Sequence, residues 1–389
     1  MPTGIRDTSS TYLSTQQLQI DMTKQIALLE PNAAPLIVLL KNLNKEKSIA
    51  YKFDWTEDVL QGEWDTIDYS TGYTTGDTSM VVTTIALFAP RQLIEVVSTG
   101  EIMKVLTVTT GTDTITVTRS YGETVAQNIA HEADLHILSM ANEQGAERPT
   151  ILTTKIEEIY NYCQIFRKSW GVTETEKHSA FTTEDDWTYQ GKKKGIEHIK
   201  DIEKAFWFGE RAITVGEDKG KVEAATRGIL RFLELPTTQE KDAGGTLTEA
   251  EFDEYIRVGF TYGTEKKILF AGSLLLAAVS FWAKGKLVMY PKDETYGISI
   301  FKYISPHGVI NIIHNKLFSR AASVYTGYGV LLDMDKIKYR FLQGRDTMLK
   351  TNRQANSEDS RVDELLTECG LQLKNPECHY ILSGITGWS

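Results

Sequence analysis

At 389 residues the chain has room for two or three domains of ~100–200 residues, or for one large fold with insertions. With 41% hydrophobic and 24% charged residues it can offset the entropy of ordering its backbone, which excludes a wholly disordered chain. Forty-two Lys and Arg against 52 Asp and Glu leave a net charge of −10, so a tight coat for a polyanion is excluded, though a local basic patch is not. Three cysteines cannot build a secreted-type disulfide framework.

Residues 1–20 lack the continuous apolar core and small-residue cleavage site of a targeting signal. Residues 1–49 read as an N-terminal arm: a polar opening, a short apolar run, then Pro31 and Pro35 punctuating the backbone. Leu36 to Leu40 suits the start of either a helix or a strand. Such an arm has too little local core to fold alone, so it is either a disordered terminus or packs against something else. From 50 to 150 Thr, Val and Ile dominate, and β-branched side chains favour the pleated surface of strands. Ile115, Val117 and Arg119 alternate with Thr114, Thr116 and Thr118, and the turn at Gly111–Asp113 makes this stretch a hairpin with the strand before it. A second turn is predicted at Tyr73–Asp77, followed by a strand over Met80–Phe88.

Beyond 150 the periodicity turns helical. Thr183 with Asp186 resembles a helix cap with an acidic first turn, and Ile196, Ile199, Ile202 and Phe206 share one face until Gly209 stops the helix. Gly191 and Gly195 each cost about 1 kcal/mol inside it, so packing must hold this helix. A shorter helix is predicted at Thr248–Phe260. The apolar window Ile268–Ala283 is shorter than the ~20 residues needed to span a bilayer and predicts a buried core helix of a soluble protein. The stretches Tyr296–Asn315, Gly327–Arg345 and Gly370–Gly387 read as strand pairs joined at Gly and Pro. The whole is an α+β arrangement without regular strand–helix alternation.

Motifs for chemistry fail on spacing. His131 and His136 are five apart and would stand about 140° apart on a helix, not on one metal-binding face. Gly216–Val222 imitates a phosphate loop but is one residue short, with Val222 where a hydroxyl should reach magnesium. Gly327 and Gly329 complete no dinucleotide fingerprint, and Cys369, Cys378 and His379 match no zinc spacing. The cysteines, with Cys163, read as small buried hydrophobes. His307 and His314 flank a strand–turn–strand that separates them. The acid pairs Glu57/Asp58, Asp185/Asp186 and Asp253/Glu254 read as solvated faces or caps, and Lys192–Lys194 as a solvated charge run. No catalytic, cofactor or metal residue is therefore assigned. A long arm and a protruding β module without an active site is the outline of an assembly subunit, because arms and hairpins gain their burial from neighbours.

Four stretches carry a family resemblance: Leu28–Asp58; Gly100–Thr124 continued through Pro149; Asn161–Lys177 with His198–Glu210; and Asp335–Arg345 with Gly370–Gly387. In these the chain resembles the major capsid (major head) proteins of tailed bacteriophages, in particular the group typified by phage SU10. The resemblance implies the α+β fold named after the head protein of phage HK97. It implies an N-terminal arm at 1–49, an extended loop and β module at 50–150, and a peripheral domain with a spine helix at 151–244. An axial domain follows at 245–335, with a return to the peripheral domain at 336–389. The implied function is a non-enzymatic shell subunit enclosing packaged double-stranded DNA in the virion, assembled in the host cytoplasm. The implied partners are further copies as hexamers and pentamers, separate scaffolding and portal proteins, decoration proteins, and weak non-specific contact with DNA, with no membrane and no cofactor. In that setting the Ile115/Val117 face is expected to be buried partly on an adjacent subunit. A protein nanocompartment built on a related shell fold, and a β-rich binding module or enzyme, are the competing readings; particle size and enclosed DNA separate them.

Overall fold

The structure, a computed structural model, describes residues 34–149, 151–179, 186–234, 239–282, 294–295, 298–319 and 324–389. Arm residues 1–33, including Pro31, lie outside the described residues, as do Thr183, Asp185 and Ala283. The chain forms two compact units, with Thr56–Ile159 inserted into a larger unit of residues 1–55 and 160–389.

The described chain begins with helix α1 (Pro35–Leu43). Proline suits the first helical position, where its missing N–H would have no partner anyway, and this settles Leu36–Leu40 as helix. Strand β1 (Lys45–Ser48) follows, and the chain leaves the larger unit along β2 (Lys52–Glu57). The inserted unit contains β3 (Trp64–Thr66), β4 (Ser79–Val81), β5 (Gln92–Val96), β6 (Glu101–Thr109), β7 (Thr114–Thr118) and β8 (Asp134–Met140). The expected hairpin is β6–β7, and the second turn is at Thr74–Asp77. Met80–Phe88 is less regular than predicted: the strand stops at Val81 and a 3₁₀ turn occupies Ile85–Leu87.

These six antiparallel strands run in the order β3-β8-β5-β6-β7-β4, and the two end strands meet. Asp68 N–H donates to the Val81 carbonyl and Thr83 N–H to the Thr66 carbonyl, with Ile67 bridged to Val82. The sheet therefore closes into a small barrel, which leaves it no open edge. Its inward residues, among them Met80, Ile94, Met103, Val105, Ile115, Val117 and Leu135, form one core. This corrects an expectation: Ile115 and Val117, 0% and 1% exposed in the single chain, are buried inside their own unit rather than on an adjacent subunit. Alternation shows which face is apolar, not what covers it.

Arg119, on the inward side of the same alternation, closes one end of this barrel. Its Nε and one terminal nitrogen donate to the two oxygens of Glu101 at 2.8 and 2.7 Å, and its other hydrogen bonds go to the carbonyls of Thr74, Asp77 and Gln127. Glu101, 1% exposed, also accepts from the amides of Ser120 and Gln127.

β9 (Glu157–Tyr162) brings the chain back into the larger unit, where β10 (Gln164–Thr173), the single turn α2 (Glu174–Lys177) and α3 (Asp186–Phe208) follow. Helix α3 is the long helix that the Ile196–Phe206 spacing predicts. Its second half is the buried half, with Ile202, Phe206 and Trp207 inaccessible, while Ile196 and Ile199 are half-buried. The hairpin β11 (Ala212–Val215) and β12 (Val222–Ala225) leads to α4 (Ile229–Leu233). Next are β13 (Glu240–Leu247), α5 (Glu249–Gly259), β14 (Lys266–Ala271) and α6 (Ser273–Trp282). Helix α5 is the shorter helix predicted at Thr248–Phe260, and it starts with a capping box between Thr248 and Glu251. The apolar window Ile268–Ala283 is not one helix. Its first part lies in β14 and its second in α6, separated at Gly272, where a Cβ would come within 2.3 Å of the Thr326 carbonyl. A strand covered on both faces is apolar throughout and so carries no period that tells it from a buried helix.

The remaining strands are β15 (Glu294–Thr295), β16 (Ile298–Ser305), β17 (Gly308–His314), β18 (Gly329–Leu332), β19 (Ile337–Leu342), β20 (Met348–Lys350), β21 (Ser360–Leu373) and β22 (Tyr380–Trp388). β16 and β17 form the expected hairpin. The other two expected pairs do not form. β18 and β22 belong to a seven-stranded sheet, β13-β22-β18-β14-β17-β16-β15, whereas β19 and β21 belong to a five-stranded one, β1-β19-β21-β10, with β20 also on β21. Residues 336–389, expected as one return segment, thus divide between two sheets. Helices α5 and α6 cover one face of the larger sheet through Phe252, Tyr255, Ile256, Leu275 and Val279. Helix α3 lies on β10 and β21, and Trp207 at its end packs edge-on against Phe270 and Phe318 beside the larger sheet.

Replacing Arg119 by Met is expected to destabilise the barrel by about 3–5 kcal/mol in denaturant titration, because it leaves the Glu101 carboxylate buried without its cation. Burial alone raises the pKa of Glu101, but the Arg119 bonds and the two amides outweigh it and hold it below the ordinary value of 4.5. The contribution of the pair is present above that value and is lost as pH falls below it.

Candidate assembly surfaces and buried anchors

The residues weighed as chemical candidates are dispersed. His136 stacks on Trp64 with ring centroids 4.2 Å apart, and His131 lies beside Glu132 on the surface. Gly216–Lys221 is the turn of the β11–β12 hairpin. All three cysteines are buried free thiols, as predicted, and burial pushes Cys163 and Cys369 up to about 12. His307 sits in the β16–β17 turn and His314 at the far end of β17. Asp253 approaches the Tyr303 hydroxyl, Glu254 pairs with Arg257, and Lys194 pairs with Glu197. Among the described residues no cluster of His, Cys, Asp or Glu can hold a metal ion, and no helix is long and apolar enough to cross a membrane.

What the structure does assemble is a set of buried polar anchors. Glu203, 0% exposed on α3, accepts the amides of Leu36 and Ile37 at 3.1 and 2.8 Å and Trp207 Nε1 at 3.1 Å. The first residues of α1 have no cap of their own, since Ala34 offers no acceptor side chain, so a carboxylate 166 residues away supplies it. A second link runs from α1 to α3 through β21: Lys41 donates to Thr347, Thr347 bonds Thr367, and Thr367 bonds His198 Nε2 at 2.7 Å. Burial, then Lys41, lower the pKa of His198, which keeps the ring neutral. Sequence reasoning did not assign Glu203 or His198, although Glu203 continues the Ile199–Phe206 face at spacings of four and three.

Part of the exposed apolar surface of the larger unit lies on the β11–β12 hairpin. Val215 faces Val222 and Ile213 faces Ala224 across the strands, so all four share one side. Ile213, Val215 and Val222 are 48, 71 and 60% exposed. Among the described residues the two strands hydrogen-bond in a sheet only with each other, although β12 lies near β10. Between the hairpin and the segments carrying Tyr51, Ile165 and Glu368 lies a groove of about 1110 Å³.

A long helix against one sheet, a second sheet capped by two helices, and an inserted β unit define a shell subunit with the HK97-like fold. The capsid of a native GTA particle has this fold, with a TM-score of 0.51 at 10% identity over 96% of this chain and 98% of that one. The Mycobacterium phage Bobi structure gives 0.48 at 10% identity over 97% and 99%. In sequence the chain is 22% identical over 313 residues to the major capsid protein of Pseudomonas phage PaMx41, covering 74% of each. The SU10 major capsid protein model matches residues 5–386, and the chain belongs to that family. Its copies form the icosahedral capsid shell of a phage virion.

Glu203 is held up at about 7, chiefly by burial and against the three N–H donors that favour its charge. Between the ordinary value of 4.5 and about 7 the folded chain binds a proton that the unfolded chain does not, so stability falls as pH rises through that window. The Glu203→Gln chain is expected to lose this component of the pH profile. It is also expected to be about 1–3 kcal/mol less stable at pH 5, because the amide sets N–H against N–H. Denaturation midpoints of both chains from pH 4.5 to 7.5 check this.

Proposed function

We propose that the chain is the passive wall of a tailed-phage head, assembled in the host cytoplasm and enclosing packaged double-stranded DNA without gripping it. The observation that carries this reading is the disposal of the cations. Arg119, Arg257, Arg340 and Arg345 are each engaged by a carboxylate of the same chain, within a net charge of −10. Affinity for a duplex comes chiefly from basic groups that displace condensed counterions, and these four are already neutralised. Isolated subunits are expected to bind duplex DNA weakly, without base preference, and to release it as salt rises through ~0.15 M, read by fluorescence anisotropy. Neutralising Lys192–Lys194 is expected to change packaging only modestly. Tight, salt-resistant binding would overturn the passive wall.

In this reading the five-stranded sheet with α3 is the peripheral domain and the seven-stranded sheet is the axial domain, around which copies gather as hexamers and pentamers. The inserted barrel takes the place of the extended loop. Separate scaffolding, portal and decoration proteins complete the particle, and the role is structural rather than enzymatic. The apolar face of the β11–β12 hairpin meets a second copy, because Ile213, Val215 and Val222 have no cover in the single chain. The Val215→Glu, Val222→Glu double variant is expected to fold, with an unchanged far-ultraviolet spectrum, and to give no closed shells in electron micrographs where the wild-type chain does.

A further inference from the structure

The two short connections that carry the chain between the sheets meet at one buried polar cluster. Asp333 opens the crossing from β18 to β19, His379 closes the crossing from β21 to β22, and both are 0% exposed. The Asp333 amide donates to His379 Nδ1 at 3.1 Å. The Asp333 carboxylate accepts from the amides of Thr264 at 2.9 Å and Asp335 at 3.1 Å. Lys267 of β14, also 0% exposed, donates to the carbonyls of Gly259, Tyr262 and Cys378 at 2.7, 2.7 and 2.6 Å. The Lys374 amide bonds the Lys336 carbonyl at 2.9 Å and so ties the crossings to each other. Gly263, at φ +89°, presses the loop after α5 onto the cluster, where a Cβ would come within 2.7 Å of Asp333 Oδ2. His379 Nε2 makes no hydrogen bond.

We propose that this cluster is an acid-sensitive latch on the hinge between the two sheets, shut while the His379 ring is neutral and released when the ring takes a proton. The chemistry lies at Nδ1. In the neutral ring this atom accepts the Asp333 N–H; once protonated it is a donor facing a donor, and the bond between the crossings is lost. Burial is the largest force against that proton and holds the ring down at about 3, from 6.5. Lys267, from β14, and Lys336, from the first crossing, oppose it as well, while Asp333 and the Lys374 carbonyl favour it. On its own turn His379 has the buried Cys378 thiol and the exposed Glu377. An open crossing returns the ring to water and to about 6.5. Between 6.5 and about 3 only the open form binds the proton, so opening grows roughly tenfold per pH unit as pH falls and is level above 6.5.

Amide hydrogen exchange on the full chain, corrected for intrinsic rates, reads this directly in segments 333–336 and 374–379, with the centre of β21 as reference. Between pH 6.5 and 4.5 the opening constant of both crossings is expected to rise about fiftyfold relative to that reference. In His379→Asn, whose side-chain oxygen can accept the Asp333 N–H but cannot titrate, the relative opening is expected to be independent of pH. Loss of protection in the crossings and in β21 together, a flat wild-type profile, or an unchanged slope in His379→Asn would each overturn the latch. The wild-type profile needs no variant, so a His379→Asn chain that fails to fold leaves the test standing.

Discussion

A carboxylate without water, Glu203, holds the start of the described chain to its longest helix. An ionised group in such a place is costly unless donors surround it, and here two come from the open end of α1 and one from Trp207. The arrangement works in both directions: the helix end gains a cap it cannot make locally, and the carboxylate gains the partners burial denies it. Once α1 is fixed, Leu36, Ile37, Leu39 and Leu40 are buried, β1 is delivered in parallel to β19, and α3 is set against β10 and β21. Trp207 bonds Glu203 and also packs on Phe270 and Phe318, so the same anchor reaches the second sheet.

The two sheets are joined by crossings too short to adjust by themselves. Between β18 and β19 there are four residues, Asp333–Lys336, and between β21 and β22 six, Lys374–His379. Short connections fix geometry only if their backbone groups have partners, and Lys267, Asp333 and His379 provide them. The charges in this cluster therefore direct the chain from one sheet to the other more than they add stability, since the desolvation of a buried cation offsets much of what its bonds return.

A shell subunit must keep apolar surface for its neighbours without exposing so much that it aggregates. The inserted unit meets this demand by closing on itself, with Ile115, Val117 and their neighbours inside and its end strands paired. On the β11–β12 hairpin, by contrast, the outer strand edges pair with no other strand among the described residues and Ile213, Val215 and Val222 stay exposed. The barrel has a core of its own, whereas the hairpin leaves Ile213, Val215 and Val222 uncovered.

Local pattern alone determined the local elements. Alternation defined the β6–β7 hairpin, and the 3–3–4 spacing gave the long helix α3. These are properties of residues close in sequence, where period, capping and turn chemistry act directly. The family resemblance added the α+β shell fold as a whole. Only tertiary structure decided that the alternating sheet closes into a barrel, that the apolar window splits into a strand and a helix, and that two apparent hairpins hand the chain between sheets. It alone set Glu203, Lys267 and His379 among partners distant in sequence. In each case the deciding partner lies far along the chain, at separations of 167 residues for Leu36 and Glu203 and 111 for Lys267 and Cys378, where no local period reaches.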